Sequence, residues 1–307
     1  MEGYTHTGPI DCDKPINSDT VRGKTAIITG GAKGLGEAYV RTLSAAGVYV
    51  CIADPDIENG QRLEAQLPRT KYVPCDVTNW DDQLRLFREA ASFSPSGRIS
   101  FVVANAGIHR PDEVYKYAGD EQEPKEPNLD IIDVNLKGVL FTAKLAAHYF
   151  IKQNGQQPSP QQEDTCLVLI GSGAAFLDCP RGLQYAATKW AMRGIMHSLR
   201  RTVFYYGSRV NVISPWYVKT NILSDEAFKH VQEVGVEFAE AEDAGQCLLR
   251  ILSDQTINGH SLFVCARKWA PNGYMDLDLD DYPGSTLLQE IQDDQIKPAP
   301  VSLGLFA

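Results

Sequence analysis

The stretch Thr25-Ala26-Ile27-Ile28-Thr29-Gly30-Gly31-Ala32-Lys33-Gly34-Leu35-Gly36 decides how the chain is read. Its first five residues are β-branched or apolar and suit a strand buried on both faces. The glycines then fall where a backbone must bend sharply and let another group approach closely, and helical spacing begins at Gly36. The order strand, glycine turn, helix aims the free N–H groups of a helix N-terminus at the turn, which makes a seat for a pyrophosphate. Gly30, Lys33, Gly34, Leu35 and Gly36 are therefore candidate cofactor-binding residues. A second apolar run ends at Asp54, about 20 residues past the last glycine, where a carboxylate accepts hydrogen bonds from both hydroxyls of an adenosine ribose. That carboxylate repels a 2′-phosphate and so favours NAD, whereas Lys33 is the feature in the turn that suits NADP.

Outward from this turn, short β-branched runs alternate with helix-length amphipathic segments, the pattern of parallel strands joined by crossover helices. Strands are expected at residues 25–29, 48–53, 72–74, 101–104, 166–170, 209–214 and 261–265, and helices at 36–46, 81–91, 132–154 and 184–206, among others. The expected fold is α/β, a Rossmann-type doubly wound parallel sheet of seven strands with helices on both faces. Residues 1–22 read as an N-terminal arm, 23–270 as the one domain, with a lid at about 221–235, and 271–307 as a C-terminal extension.

Composition narrows the partners. Against 39 acidic side chains stand 29 basic ones, a formal charge of −10, which argues against nucleic acid and against an anionic membrane surface and points to a small molecule. Lys144 and His148 interrupt the longest apolar run, so no span is expected. The first twenty residues carry neither a basic start nor an apolar stretch, so a cytoplasmic protein is expected. Seven scattered cysteines without a C-x-x-C pair fit reduced thiols.

Tyr185 and Lys189 stand four residues apart on an expected helix, so both side chains leave one face. A phenol with its ordinary pKa of about 10 is a poor base near neutrality. An ammonium beside it favours the phenolate and is expected to lower that value, making Tyr185 a general base.

With the other motifs in order, the chain resembles the short-chain dehydrogenase/reductase family over about residues 23–270. The resemblance rests on T-G-x-x-x-G-x-G at Thr29 to Gly36, Asp76-Val77, Asn105-Ala106-Gly107, Asn135, Ser172 thirteen residues before Tyr185, and Tyr185-x-x-x-Lys189. It implies that Asn135, Ser172, Tyr185 and Lys189 form a catalytic tetrad: Ser172 fixes the substrate oxygen, Lys189 also holds the nicotinamide ribose, and Asn135 holds a water of the proton relay. It further implies that Asp76 contacts adenine with Val77 beside it, that Asn105, Ala106 and Gly107 line the cofactor channel, and that Pro215 opens a cofactor-binding stretch whose later residues, Val218 and Thr220, meet the carboxamide.

The sequence departs from the family pattern at Ala104, where Asn is usual, and at Trp216, where Gly is usual. Trp216 is expected to narrow the pocket or form a stacking wall. Pro215-Trp216, Ile257-Asn258-Gly259 and the chain length resemble fungal members of the family akin to 15-hydroxyprostaglandin dehydrogenase, which implies an NAD-dependent oxidation of a secondary alcohol on a bulky apolar molecule, a lipid or a secondary metabolite. An isomerase or cyclase on the same scaffold, or a non-catalytic dinucleotide-binding regulator, is the alternative.

His109 and Cys179 are placed at the substrate pocket by their positions beside the Asn105 triplet and between Ser172 and Tyr185. The acidic run from Asp276 to Asp281 is like the start of a calcium loop, but Asp281 replaces its glycine and Leu287 its glutamate, and no metal site is expected. The long helices carry apolar residues beyond one face, including Leu140, Phe141, Leu145, Trp190 and Met196; the resemblance implies that they pair in a homodimer or homotetramer.

Overall fold

Every residue of β1 (Thr25–Thr29) is buried, and the helix that follows its glycine turn, α1 (Gly34–Ala45), packs Tyr39, Val40 and Leu43 onto the sheet. The structure, a computed structural model, describes residues 4–120, 122–220, 222 and 225–298. Asn221, Leu223 and Ser224 of the expected lid lie outside the described residues, as do positions 1–3 of the arm and 299–307 of the extension.

The chain continues through β2 (Tyr49–Asp54), α2 (Ile57–Gln66), β3 (Thr70–Pro74), α3 (Trp80–Phe93) and β4 (Phe101–Ala104). A long loop leads to a short α4 (Asp130–Ile132), a π-helical turn at Asp133–Lys137 and α5 (Gly138–Asn154). After β5 (Thr165–Ile170) come a 3-10 turn at Gly173–Ala175, α6 (Leu183–Leu199) and β6 (Ser208–Pro215). The chain then forms α7 (Asp225–Glu233), α8 (Ala241–Ser253), β7 (Ser261–Val264), β8 (Tyr274–Asp276) and α9 (Thr286–Ile296). The strand order is β3-β2-β1-β4-β5-β6-β7-β8, parallel through β7.

Side-chain alternation gives each face of the sheet its own core. Ile28, Val50, Phe101 and Val168 face α1 and α8. Ile27, Cys51, Val102 and Leu167 face α3, α5 and α6. The crossovers reverse direction between β1 and β4, and in such a sheet the crevice at the strand ends at that switch point is the place for a ligand.

The sheet has eight strands rather than seven. β8 pairs antiparallel with β7, because the chain between them closes tightly, with Cys265 N–H donating to Gly273 O at 2.8 Å, and leaves no room for a crossover helix. Sheet therefore extends past residue 270 into the expected extension. There the arm and the extension meet: Asp276 accepts from the Ile10 N–H and faces His260, Asp278 faces His6, and Asp281 faces Arg200 and Tyr4. The acids point inward while Leu277 and Leu279 stay largely exposed.

Leu145 and Met196 belong to the core, Phe141 meets Trp80 edge-on at 5.3 Å, and Leu140 and Trp190 are exposed. All seven cysteines are free thiols. Among the described residues no helix is long and apolar enough to cross a membrane.

Candidate active site

The glycine turn sits at the switch point. Gly30 and Gly34 take φ values of +63° and +57°, in the left-handed region that favours glycine. A Cβ at Gly30 would lie 2.8 Å from Ala106 Cα, and one at Gly36 would collide with the Gly30 carbonyl. Lys33 is the N-cap of α1 and supplies no side-chain hydrogen bond to it, so the helix N-terminus at Gly34, Leu35 and Gly36 opens on the cleft uncapped. Asn105 locks the turn from the opposite side of the switch point, its Nδ2 donating to the carbonyls of Thr29 and Gly30, both at 2.9 Å.

At the end of β2, Asp54 Oδ2 accepts from the Ala32 N–H at 3.1 Å and Oδ1 from the Asp56 N–H at 2.9 Å. Lys33 does not reach toward Asp54. It pairs with Asp56 at 2.8 Å, a bond that holds the Asp56 carboxyl well below the usual carboxylate range. Asp56 went unnoticed in the sequence reading, although it is also the N-cap of α2, accepting from the Asn59 N–H. Asp76 is exposed on the cleft with Oδ1 turned to Thr78, and Val77 is buried against Gly138.

Farther along the cleft, β5 delivers Ser172, the N-cap of the turn Gly173–Ala175, whose Oγ accepts from the Ala174 N–H at 3.2 Å. The first turns of α6 present Tyr185 and Lys189, with the Lys189 ammonium 5.5 Å from the Tyr185 ring centroid and donating to Ile170 O at 2.9 Å. Asn135 stands in the π-helical turn, where the widened backbone sets its amide against Ile108: Oδ1 accepts from the Ile108 N–H at 2.8 Å and Nδ2 donates to Ile108 O at 2.9 Å. Gly107 separates Asn135 from Lys189, with room for no side chain beyond a Cβ in contact with both.

The electrostatics differ from expectation. Burial raises the Tyr185 phenol above its ordinary value, offset in part by a hydrogen bond with Ser172. Burial also lowers Lys189 to about 8. The two groups share a face as expected, but desolvation opposes both charged forms, the phenolate and the ammonium.

The substrate side is walled by aromatic and apolar groups. The His109 ring meets Tyr185 edge-on, centroids 5.1 Å apart, and burial lowers the His109 pKa. Burial raises the Cys179 thiol, so it lines the wall as a neutral group. Trp216 lines the cleft and is held there: it packs on Gly173, meets Tyr217 and Trp269 edge-on at 5.0 and 5.6 Å, and donates Nε1–H to Glu237 O at 3.2 Å. Pro215 ends β6, Val218 bridges to Ala239, and Thr220 crosses to within contact of Gly34. Sequence reading missed Tyr217, ahead of the lid, and Phe228 and Val231 within it on the same wall; an apolar or aromatic residue in such a segment carries no local signal. One open cleft of about 1560 Å³ joins the glycine turn, Asp54, Ser172, Tyr185, Lys189 and this wall, and Asn135 lies buried behind Ile108.

Comparison with known proteins identifies the family. The model for short chain dehydrogenases matches residues 24–230. A 5′-hydroxyaverantin dehydrogenase of Emericella nidulans is 32% identical over 302 residues, covering 92% of this chain and 96% of that one. An NADP-dependent dehydrogenase of Cochliobolus lunatus is 31% identical over 268 residues, covering 82% and 92%. A 3-ketoacyl-(acyl-carrier-protein) reductase of Brucella melitensis complexed with NADH shares the fold, with a TM-score of 0.66 at 24% identity over 80% of this chain and 97% of that one. These relatives lend no support to the finer likeness to 15-hydroxyprostaglandin dehydrogenase or to its NAD specificity. The chain belongs to the short-chain dehydrogenase/reductase family.

Proposed function

We propose that the chain is an NAD-dependent oxidoreductase that interconverts a secondary alcohol and a ketone on a bulky apolar small molecule, a secondary metabolite or lipid. One observation carries this reading: Tyr185, Lys189 and Ser172 meet in the cleft between a phosphate-binding glycine turn and an aromatic wall. The cofactor fits the residues present. An uncapped helix N-terminus suits the pyrophosphate, Asp54 the adenosine ribose, and Asp76 and Val77 the adenine. Asn105, Ala106, Gly107, Pro215, Val218 and Thr220 would flank the nicotinamide half.

In oxidation the Ser172 hydroxyl donates a hydrogen bond to the carbinol oxygen and orients it toward Tyr185. The Tyr185 phenolate takes the hydroxyl proton as the C=O bond forms. Lys189 would hold the nicotinamide ribose and favour the phenolate, and Asn135, fixed on Ile108, anchors the proton path behind it. Bound oxidised nicotinamide supplies the acceptor for the carbinol hydride. Reduction runs the same steps in reverse, with Tyr185 as acid.

NAD is favoured because Asp54 lines the adenosine end of the cleft while Lys33 is paired with Asp56. The NADP-dependent relatives make this the first point to measure. The exposed Leu140 and Trp190 on α5 and α6 suit a homo-oligomer, to be weighed by light scattering, and we place the protein in the cytoplasm.

The test is turnover of a panel of secondary alcohols, read as absorbance of reduced nicotinamide, with Tyr185→Phe expected to abolish turnover and keep NAD affinity. Substrate conversion with no change in cofactor would instead mark an isomerase or cyclase. Binding without any conversion would mark a regulator.

A further inference from the structure

Four residues beyond Lys189, on the same face of α6, Arg193 joins three parts of the molecule. Its Nε donates to the Asp280 carboxylate at 2.8 Å, its Nη1 to Ala175 O at 3.2 Å and its Nη2 to Leu279 O at 2.7 Å. Ala175 closes the turn that Ser172 caps, its N–H donating to Ser172 O at 2.9 Å. Asp280, 5% exposed, also faces His197 Nε2 at 3.1 Å, and its backbone carbonyl accepts from Arg200 at 2.8 Å. The Arg193 side chain is 13% exposed, and its rigid planar fork fixes the directions of all three bonds.

We propose that Arg193 is a positioning residue that clamps the Ser172 turn to the helix bearing Tyr185 and Lys189, and that Asp280 of the C-terminal segment holds Arg193 in that orientation. The segment after β8 is then part of the active-site scaffold. The physical reason is geometric. Ser172 and Tyr185 arrive on different elements, yet both must meet one substrate oxygen, and a loss of about 1 Å in such alignment costs up to ~100-fold in rate. Arg193 ties the far side of the turn to that helix, beyond the Lys189 bond to Ile170 O, and Asp280 supplies the charge that keeps it from turning to solvent. The inference rests on the oxidoreductase reading for what Ser172 and Tyr185 do.

The experiment compares Asp280→Asn and Arg193→Lys with Asp278→Asn, which releases His6 from the same segment. Lysine at 193 keeps the charge opposite Asp280 but cannot reach Ala175 at the same time. Hydrogen exchange in the whole chain is followed at residues 173–177 by mass spectrometry, and kcat, KM and NAD affinity are measured with 1-phenylethanol and 2-decanol. Both test variants are expected to speed exchange there and to lower kcat about tenfold, with KM and NAD affinity within about twofold of wild type; Asp278→Asn is expected to do neither. Unchanged exchange in folded test variants overturns the proposal, as does faster exchange with unchanged kcat. Equal losses of kcat, NAD affinity and melting temperature also overturn it, since they mark a merely structural contact. If wild type turns over neither alcohol, that result counts against the oxidoreductase reading, and exchange at residues 173–177 alone decides the clamp.

Discussion

The Lys33 ammonium, at the rim of the cleft that Asp54 lines, lies 2.8 Å from the Asp56 carboxylate. Hydrogen bonding to Asp56 raises Lys33, and the Asp56 carboxyl is held well below its ordinary value by the same bond and by Asn59. A 2′-phosphate would have to draw Lys33 from Asp56 and sit against the Asp54 carboxylate.

The wild-type chain is therefore expected to use NAD with the higher kcat/KM. Asp56→Asn frees Lys33 and should improve kcat/KM for NADP by roughly tenfold while changing that for NAD little. Initial rates with both cofactors check this. An unaltered NADP-to-NAD ratio in the variant removes Lys33 from the account.

A second outcome concerns the glycine turn. Alanine at Gly36 would drive its Cβ into the Gly30 carbonyl, a backbone atom that cannot step aside without moving the turn. Gly36→Ala is expected to lose NAD affinity by about a hundredfold or more, because the N–H groups of α1 no longer converge on one point. Equilibrium binding followed by protein fluorescence measures it, with circular dichroism to confirm the fold.

The pH dependence follows from burial. Tyr185 holds its proton more tightly than a free phenol, and Lys189 loses its own at about 8. Oxidation needs the phenolate, whose fraction grows about tenfold per pH unit below its pKa. Oxidation should therefore speed up from pH 7 to 9, and reduction, which needs the phenol, should stay flat over that range. A rising profile beside a flat one is the expected result. Parallel ones would take Tyr185 out of proton transfer.

Lys189 also bears on stability. Its folded pKa of about 8 lies below the ordinary value of 10.5, so between those limits the unfolded chain binds more protons and stability rises with pH. Below pH 8 the full cost of the buried ammonium is present, on the order of 3 kcal/mol. Lys189→Met removes that cost and loses about 1 kcal/mol with the bond to Ile170 O. At pH 7 the variant is expected to be inactive yet to melt a few degrees higher. A melting temperature below that of wild type would mean that Lys189 stabilises the fold.

What could be read in the sequence was local. Tyr185 and Lys189 are one helical turn apart, the glycines are consecutive with their strand and helix, and Asp54 ends the next strand, so spacing alone brought them together. Groups joined through tertiary structure gave no such signal. Arg193 and Asp280 are 87 residues apart, and β8 is three residues long and owes its strand geometry to pairing with β7. The packing of Trp269 and Phe263 around Trp216 gave none either, because both come from the far end of the chain. The desolvation that raises Tyr185 is likewise a property of the whole cleft.

The edge-on contact of His109 with Tyr185 leads to the last expectation. Burial lowers the His109 pKa against a weaker opposing pull from Asp112. Asp112 is itself occupied, accepting from the Gln184 N–H at 2.7 Å. The imidazole is thus neutral near pH 7 and serves as a wall that keeps the phenol ring in place. His109→Phe preserves an aromatic edge there and should keep kcat/KM for an apolar carbinol within about threefold of wild type, whereas His109→Ala opens the wall and should lower it at least about tenfold. Steady-state kinetics of the two variants from pH 5.5 to 8 tests the assignment. If phenylalanine proves as damaging as alanine, and the wild-type profile bends near pH 6, the imidazole takes part in proton transfer.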